Sequence, residues 1–329
     1  MNISALKETI ISNKAIFGLT ADDEEYLSVK LHAPWRNSRT GRCLYFIYRQ
    51  RDDVPFLVVK DAISLYAPSQ PLSEVPFSSQ FMPAHGYFFY KEQQYEWAHF
   101  VNGVSLYDLL GDSLRAKGKK ARIKDFIDTI FAFPSKKDKT APEEVTSFIQ
   151  IFFKEQMNSS CIAPIPVDIL AKQCLEKIFD QKGKDFFTQF AHKLFPQEKR
   201  IPILCSWSHG DLWQKDIIYT EVGYKVLDWE WHTACAPLGS DCIDLCVNIC
   251  IHNEGRLFED VWKNMATTKL ACLAPVYGAL PYDIHSQEWL FLLRYCFLRS
   301  LGRELAQDGM THTVFRVYKK IEEGVLSAT

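Results

Sequence analysis

The sequence predicts an α+β protein, with a small β-rich N-terminal lobe over residues 1–101 and a large, mainly helical C-terminal lobe over residues 102–329. Three observations carry this. Aromatic and β-branched runs alternate with turn material through the first hundred positions. Beyond Asn102-Gly103 the apolar residues change to helical spacing. A chain of 329 residues is also long enough for two lobes with a real core.

Strands are expected at Tyr26–His32, Arg42–Gln50 and Val54–Ala62, the last two joined by Arg51-Asp52-Asp53, short enough for a hairpin. Two more are expected at Gly86–Glu92 and Tyr95–Val101. A helix follows in APEEVTSFIQIFFKEQ. Pro142 suits its first position, Glu143 and Glu144 its positive end, and Val145, Phe148, Ile149, Phe152 and Phe153 share one face. Val167, Leu170, Ala171, Cys174, Leu175 and Ile178 repeat the pattern, and further helices are expected near Gln287–Ala306 and Val314–Val325. There is no internal repeat.

Composition excludes several classes. Hydrophobic residues are 47% and charged residues 24% of the chain, an ordinary globular balance. A net charge of −2 gives no reason to expect nucleic acid or an anionic membrane as the main partner. No apolar run approaches the roughly 18 residues that a bilayer span needs, and the N-terminus lacks a basic region leading into an apolar one, so neither membrane insertion nor a signal peptide is expected. Ten scattered cysteines fit reduced thiols and a cytoplasmic setting. Cys242, Cys246 and Cys250 share a helical face. A metal site is one reading, but small buried hydrophobes beside Leu245 and Ile249 are preferred, since zinc ligation normally uses closer pairs. The run Arg115–Lys124 holds six bases and no acid, and reads better as a solvated charge run than as a phosphate site.

The chemistry concentrates in Ser208–Trp231, SHGDLWQKDIIYTEVGYKVLDWEW. Asp211, Asp216 and Asp228 flank two apolar runs, Ile217–Tyr219 and Tyr224–Leu227, which form a candidate hairpin turning at Thr220–Gly223. Acids are common in turns, and singly each would be an ordinary loop residue. Phosphoryl transfer, however, needs one or two carboxylates on Mg²⁺ and another near the acceptor hydroxyl, and three acids on two short strands and their loops would meet both needs.

HGDLWQKDII followed by KVLDWEW resembles the signature of the aminoglycoside phosphotransferase and choline kinase family, which has the two-lobed protein-kinase-like fold. That family carries an HxDxxxxN catalytic loop and, further on, a metal-binding Asp often written DWE or DFG. His209, Gly210, Asp211 and Leu212 match the first, and Val226 through Glu230 the second. The resemblance implies Asp211 as catalytic base, with His209 shaping the loop, and Asp216 and Asp228 as Mg²⁺ ligands. Asp216 stands where the family has Asn, which keeps metal binding but adds charge near the phosphates. After Pro237-Leu238, either Asp241 or Asp244 answers to the acid that braces the catalytic loop. The resemblance further implies ATP, or another nucleoside triphosphate, as donor and a small-molecule hydroxyl as acceptor, on a sugar, amino alcohol or aminoglycoside-like compound.

A kinase-like N-terminal lobe would supply a lysine on its third strand, and FLVVKDA offers Lys60 in a context like V-A-I-K. Its partner is expected at Glu74, and the adenine at backbone groups of Trp97, His99 and Phe100. In place of a glycine-rich loop stands Ala33–Gly41, with Asn37, Ser38, Thr40, Arg36 and Arg39 available to phosphate. Gly103, Leu106, Leu109 and Leu110 resemble the family's lobe connection. Trp213, Trp229, Glu230 and Trp231 are read either as a cation clamp or as core. Acceptor pockets of the family come from variable insertions, here about 112–203, and neither the acceptor nor the oligomeric state has a motif. Two other readings stand beside the kinase: a catalytically impaired nucleotide-binding or scaffolding module, and a metallohydrolase built on His209, Asp211, Asp228 and His232.

Overall fold

A computed structural model of the chain describes residues 3–20, 27–32, 44–49, 52, 54–61, 81–110, 143–163, 167–195, 203–229, 231–250, 261–262, 274–280, 283, 286–311 and 318. The chain forms two compact units. The first takes Met1–Ala67, Ser79–Gly103 and Thr220–Leu227, and the second Pro68–Ser78, Val104–Tyr219 and Asp228–Thr329.

The first unit is built on one antiparallel sheet: β1 (Leu27–His32), β2 (Leu44–Arg49), β3 (Leu57–Asp61), β4 (His85–Tyr90) and β5 (Gln93–His99), in the order β1-β2-β3-β5-β4. All five expected strands are present with boundaries moved by one to three residues, and two of the moves have a clear physical cause. β3 begins only after Pro55, which has no N–H to give a ladder. β4 stops at Tyr90 because Lys91 (φ 47°) and Glu92 (φ 63°) both take left-handed conformations and make the two-residue turn into β5. Neither residue carries the Asn-Gly chemistry that would announce such a turn.

One face of this sheet is the core. Tyr45, Ile47, Leu57, Val59, Phe88, Tyr95 and Trp97 are buried against an N-terminal helix, α1 (Ile3–Ser12), which supplies Leu6 and Ile10. That helix was not expected, although Ile3, Leu6 and Ile10 are spaced as a helical face. Burying Leu6 and Ile10 contributes on the order of 1.5–3 kcal/mol each, which a ten-residue helix requires, since isolated helices of this length are marginal. Lys60 and Glu96, one residue out of step with Val59 and Trp97, belong to the opposite face.

The second unit is helical around a small sheet. Its helices are α2 (Glu143–Asn158), α3 (Val167–Lys177), α4 (Gln181–Leu194), α5 (Ser240–Asn248), α6 (Ala274–Ala279) and α7 (Gln287–Asp308). The expected face of α2, Val145, Phe148, Ile149, Phe152 and Phe153, is buried, and so are Leu170, Cys174 and Ile178 of the α3 segment. Cys242, Cys246 and Cys250 are buried apolar positions as well. The strands β7 (Cys161–Ala163), β8 (Ile203–Ser208) and β11 (Thr233–Pro237) form a sheet in the order β11-β8-β7, which sequence reading missed because each run is short. β6 (Val104–Ser105) pairs with β9 (Ile217–Thr220), whereas β10 (Gly223–Val226) belongs to the first unit. The expected helix near Val314–Val325 lies almost wholly outside the described residues.

The central helix is α7, which packs on α3, α4 and α5. It is capped by Ser286, whose side chain accepts from the Trp289 amide. Gly302 lets it approach α3 closely: a Cβ at that position would sit 2.3 Å from Cys174 Sγ and 2.9 Å from Cys174 Cβ. Gly302→Ala should therefore lower stability by about 1–3 kcal/mol in a urea titration, with partial recovery in Gly302→Ala/Cys174→Ala. No loss in the single variant would contradict this packing.

Candidate active site

Ser208, His209, Gly210 and Asp211 leave the end of β8 as a loop whose polar backbone is almost entirely buried. Such amides need partners, and Asp241, in the first turn of α5 where the helix dipole favours an acid, provides them. Its Oδ1 accepts from Ser208 Oγ (2.6 Å) and the Gly210 amide (3.1 Å), and its Oδ2 from the His209 amide (2.8 Å) and Gln156 Nε2 (2.8 Å). Four donors occupy the two carboxylate oxygens, so the charge is fully solvated by protein. Between the two acids that the sequence left open, Asp241 is the direct brace of the loop.

Asp244 braces it at one remove. Its Oδ2 accepts from Arg299 (2.8 Å) and from Arg303 Nη1, and Arg303 Nη1 also donates to the Gly210 carbonyl. Arg299 Nη1 donates to Ser208 Oγ (2.8 Å). Both arginines come from α7, one turn apart, and are almost fully buried, as are both acids. Two buried positive and two buried negative groups thus lie under the loop.

Gly210 has φ 84°, and a Cβ there would lie 2.0 Å from the Trp231 carbonyl oxygen, so this position needs glycine on both counts. His209 is fully buried, with its ring 4.6 Å edge-on to Trp229 and its Nδ1 accepting from the Asp211 amide at 3.4 Å. It shapes the loop, as the sequence resemblance implied.

Asp211 itself is partly open, with 27% of its side chain exposed. Arg303 Nε lies 3.3 Å from its Oδ1. Burial raises the Asp211 pKa above the ordinary carboxylate value; the Arg303 charge pulls it down, Asp244 pushes it up, His209 lowers it and Asp228 raises it. Asp211 and Asp228 are therefore close enough for their charges to interact. Asp228 is exposed and holds φ 60°, a conformation that costs a non-glycine residue about 1 kcal/mol or more. Asp216 is half-buried and closes a turn, its amide donating to the Trp213 carbonyl at 3.0 Å just before β9. All three acids belong to the second unit.

Among the described residues, no group of three or more His, Cys, Asp or Glu side chains is gathered as a metal cage. Carboxylate oxygens such as those of Asp216 and Asp228 are the donor type that suits Mg²⁺, a hard ion that keeps several waters and takes only one or two protein acids beside substrate phosphates. The set His209, Asp211, Asp228 and His232 that a metallohydrolase would use is not gathered as such a cage; His209 is enclosed, and His232 is fully buried with Nδ1 donating to the Trp229 carbonyl at 2.6 Å. Trp229 and Trp231 are buried, and Trp231 already faces the Lys177 ammonium at 4.4 Å, so these two rings act as core. Trp213 is half-buried. Glu230 lies outside the described residues.

In the first unit, Lys60 Nζ is 3.3 Å from Glu96 Oε2, both side chains being mostly buried. They are directly opposite on β3 and β5. Sequence reading had nothing to mark Glu96, because its sole signal is its place opposite a lysine across a sheet. Glu74, Arg36, Arg39 and the rest of Ala33–Gly41 lie outside the described residues, as does Arg115–Lys124. Of the backbone groups expected at adenine, the His99 amide donates to the Ala84 carbonyl (2.7 Å) and the Phe100 amide to the Phe56 carbonyl (2.8 Å). Trp97 has strands on both sides and a buried ring. A cavity of about 590 Å³ borders His99 and Phe100, lined also by Arg49, Asp52, Phe56 and Asn102.

The fold is that of the kinase-like phosphotransferases, α+β with a sheet-based first unit and a helical second one. Amicoumacin kinase hAmiN, solved in complex with AMP-PNP, Ca²⁺ and Ami, matches with a TM-score of 0.51 at 10% identity, over 99% of this chain and 95% of that one. Weaker matches include aminoglycoside phosphotransferase APH(4)-Ia, with a TM-score of 0.44 at 11% identity over 99% and 98% of the two chains. Choline kinase from Cryptosporidium parvum Iowa II gives 0.42 at 12% identity over 96% and 95%. No family model and no curated protein matches the chain. Among the described residues no helix is long and apolar enough to cross a membrane.

Because Asp241 satisfies four buried donors at once, Asp241→Ala should cost about 3–5 kcal/mol, read by chemical denaturation. A variant as stable as the parent would refute its bracing role.

Proposed function

We propose that this protein is a small-molecule kinase, transferring the terminal phosphoryl group of ATP or another nucleoside triphosphate to a hydroxyl group of a sugar, amino alcohol or aminoglycoside-like acceptor. The observation that carries the reading is Asp211: a partly open carboxylate on a rigidly braced loop, near a second acid, in a chain with the fold of amicoumacin kinase.

Asp211 acts as the base. It accepts the hydroxyl proton of the acceptor as the acceptor oxygen bonds to the terminal phosphorus and the bond from that phosphorus to the bridging oxygen breaks, releasing the nucleoside diphosphate. The burial that raises its pKa makes it a better proton acceptor than a surface aspartate. Asp216 and Asp228 hold Mg²⁺, which when bound neutralises charge on the phosphate oxygens. Lys60, kept in place by Glu96, meets the nucleotide phosphates, and the backbone near His99 and Phe100 receives the base. With both of those amide hydrogens donated to carbonyls, the purine hydrogen bonds fall to carbonyl oxygens there or to the Val101–Gly103 stretch. Residues 1–101 thus bind nucleotide, and 102–329 carry catalysis and the acceptor.

Asp211→Ala and Asp228→Ala should each abolish nucleotide consumption on a panel of hydroxyl acceptors, and parental turnover by either purified variant would defeat the role given to that residue. Nucleotide binding by the parent without turnover on any acceptor would favour the scaffolding module, and activity without nucleotide the hydrolase. Asp228→Gly separates function from folding. Relief of the left-handed strain should stabilise the protein by about 1 kcal/mol while turnover is lost, and a drop in melting temperature would contradict it. Glu96→Gln should raise the nucleotide KM at least about fivefold, since about 1 kcal/mol of Lys60 positioning is lost. An unchanged KM would remove Glu96 from the site.

A further inference from the structure

Arg303 has no place yet in the chemistry. It lies in α7, far along the chain from the catalytic loop, with 10% of its side chain exposed. A cation against a carboxylate favours the ionised form and so opposes the proton uptake that a base must perform. For bracing alone, Nη1 on the Gly210 carbonyl and on Asp244 would suffice. The third contact, an ion pair rather than an aligned hydrogen bond, brings Nε to 3.3 Å from Asp211 Oδ1, on the reacting side chain itself.

The consequence is geometric. Among the described residues, Oδ1 has Arg303 and Oδ2 has no hydrogen-bonding or ion-pair partner, while the side chain as a whole is partly exposed. An aspartate on a loop otherwise rotates about χ1 and χ2 and presents its two oxygens in many directions. The guanidinium is planar and carries its donors in a fixed fork, so holding Nη1 on Gly210 and Asp244 also fixes where Nε points. Three anchors, two of them on the loop, therefore fix one carboxylate oxygen and leave the other as the acceptor.

We propose that Arg303 is a positioning residue for phosphoryl transfer, holding Oδ1 of Asp211 so that Oδ2 alone is presented to the acceptor hydroxyl. This rests on the reading of Asp211 as the base. Positioning of this kind is worth much in rate, since a misplacement of about 1 Å costs about 100-fold. Among the described residues the other charged groups that act on Asp211 are Asp244 and Asp228, both acids, and the enclosed His209, so none of them substitutes for the guanidinium. A lysine at 303 keeps the charge opposite Asp244 but lacks the planar fork that places charge beside Asp211 and Gly210 at once.

The test is a double-mutant cycle on kcat with Asp211→Asn and Arg303→Lys, using Mg²⁺, ATP and the acceptor panel, with the melting temperature of each protein. Arg303→Lys should lower kcat by about 100-fold and leave the ATP KM within about twofold, because the groups assigned to the nucleotide are untouched. In the Asp211→Asn background, whose residual kcat is measured in single-turnover runs at high enzyme concentration, it should cause no further loss, since a residue that acts only through Asp211 has nothing left to act on. Equal losses in both backgrounds, or an Arg303→Lys kcat at the parental level, overturn the proposal. Arg303→Gln, which keeps a donor without the charge, takes its place in the cycle should the lysine variant not fold, and equal losses in both backgrounds overturn the proposal there too. Failure of the underlying reading looks different: a parent that consumes no ATP, or an Asp211→Asn variant as active as the parent, removes the base and the inference together.

Discussion

The four hydrogen bonds accepted by Asp241 hold the rest of the site in place. The loop that carries Asp211 turns sharply at Gly210, which lies in the left-handed region and takes its amide out of any regular ladder. Three consecutive positions, Ser208, His209 and Gly210, then present donors in a place without water. Leaving such groups unpaired costs about 1–3 kcal/mol each. One ionised carboxylate on the first turn of α5 resolves all three, and its fourth bond, from Gln156, ties the loop to α2. The loop is therefore rigid because its alternative conformations leave buried donors without acceptors.

Burying the carboxylate creates a second problem, which α7 solves. Asp241 and Asp244 are one turn apart on α5, and two negative charges at that separation in a low-dielectric interior repel. Arg299 and Arg303, one turn apart on α7, face them with matching spacing. The matching of two helical repeats lets four charges be buried with near neutrality. Gly302, beside Arg303, has the complementary task of letting α7 approach α3 closely. The first unit uses a smaller version of the same device, in which Lys60 and Glu96 are matched by the register of two strands.

How much of this was legible follows from how far each signal extends along the chain. The five strands of the first sheet and the apolar faces of α2 and α3 were readable, because a period of two and a period near 3.6 are local patterns; the candidate trio Asp211, Asp216 and Asp228 likewise came from a contiguous motif. α1 was overlooked although its spacing is present, since ten residues, of which only Leu6 and Ile10 are buried, are a weak helical signal. The β4–β5 turn was overlooked because Lys91-Glu92 adopts its conformation against local preference, held by the strands on either side. Motif resemblance reduced the bracing acid to Asp241 or Asp244 and could go no further. Both have helix-compatible surroundings, and only the direction each side chain faces separates them.

By itself, the sequence determined most of the strands and helices and offered the candidates for chemistry, since side-chain type and backbone preference are properties of residues and their near neighbours. The tertiary structure alone decided the partners: Asp241 for the loop amides, Arg303 for Asp211, Glu96 for Lys60. Such pairings depend on separations of a few ångströms in a dry interior, where Coulomb and hydrogen-bond energies are large and fall off with distance through space. Distance along the chain carries no such information, so no spacing in the sequence encodes it.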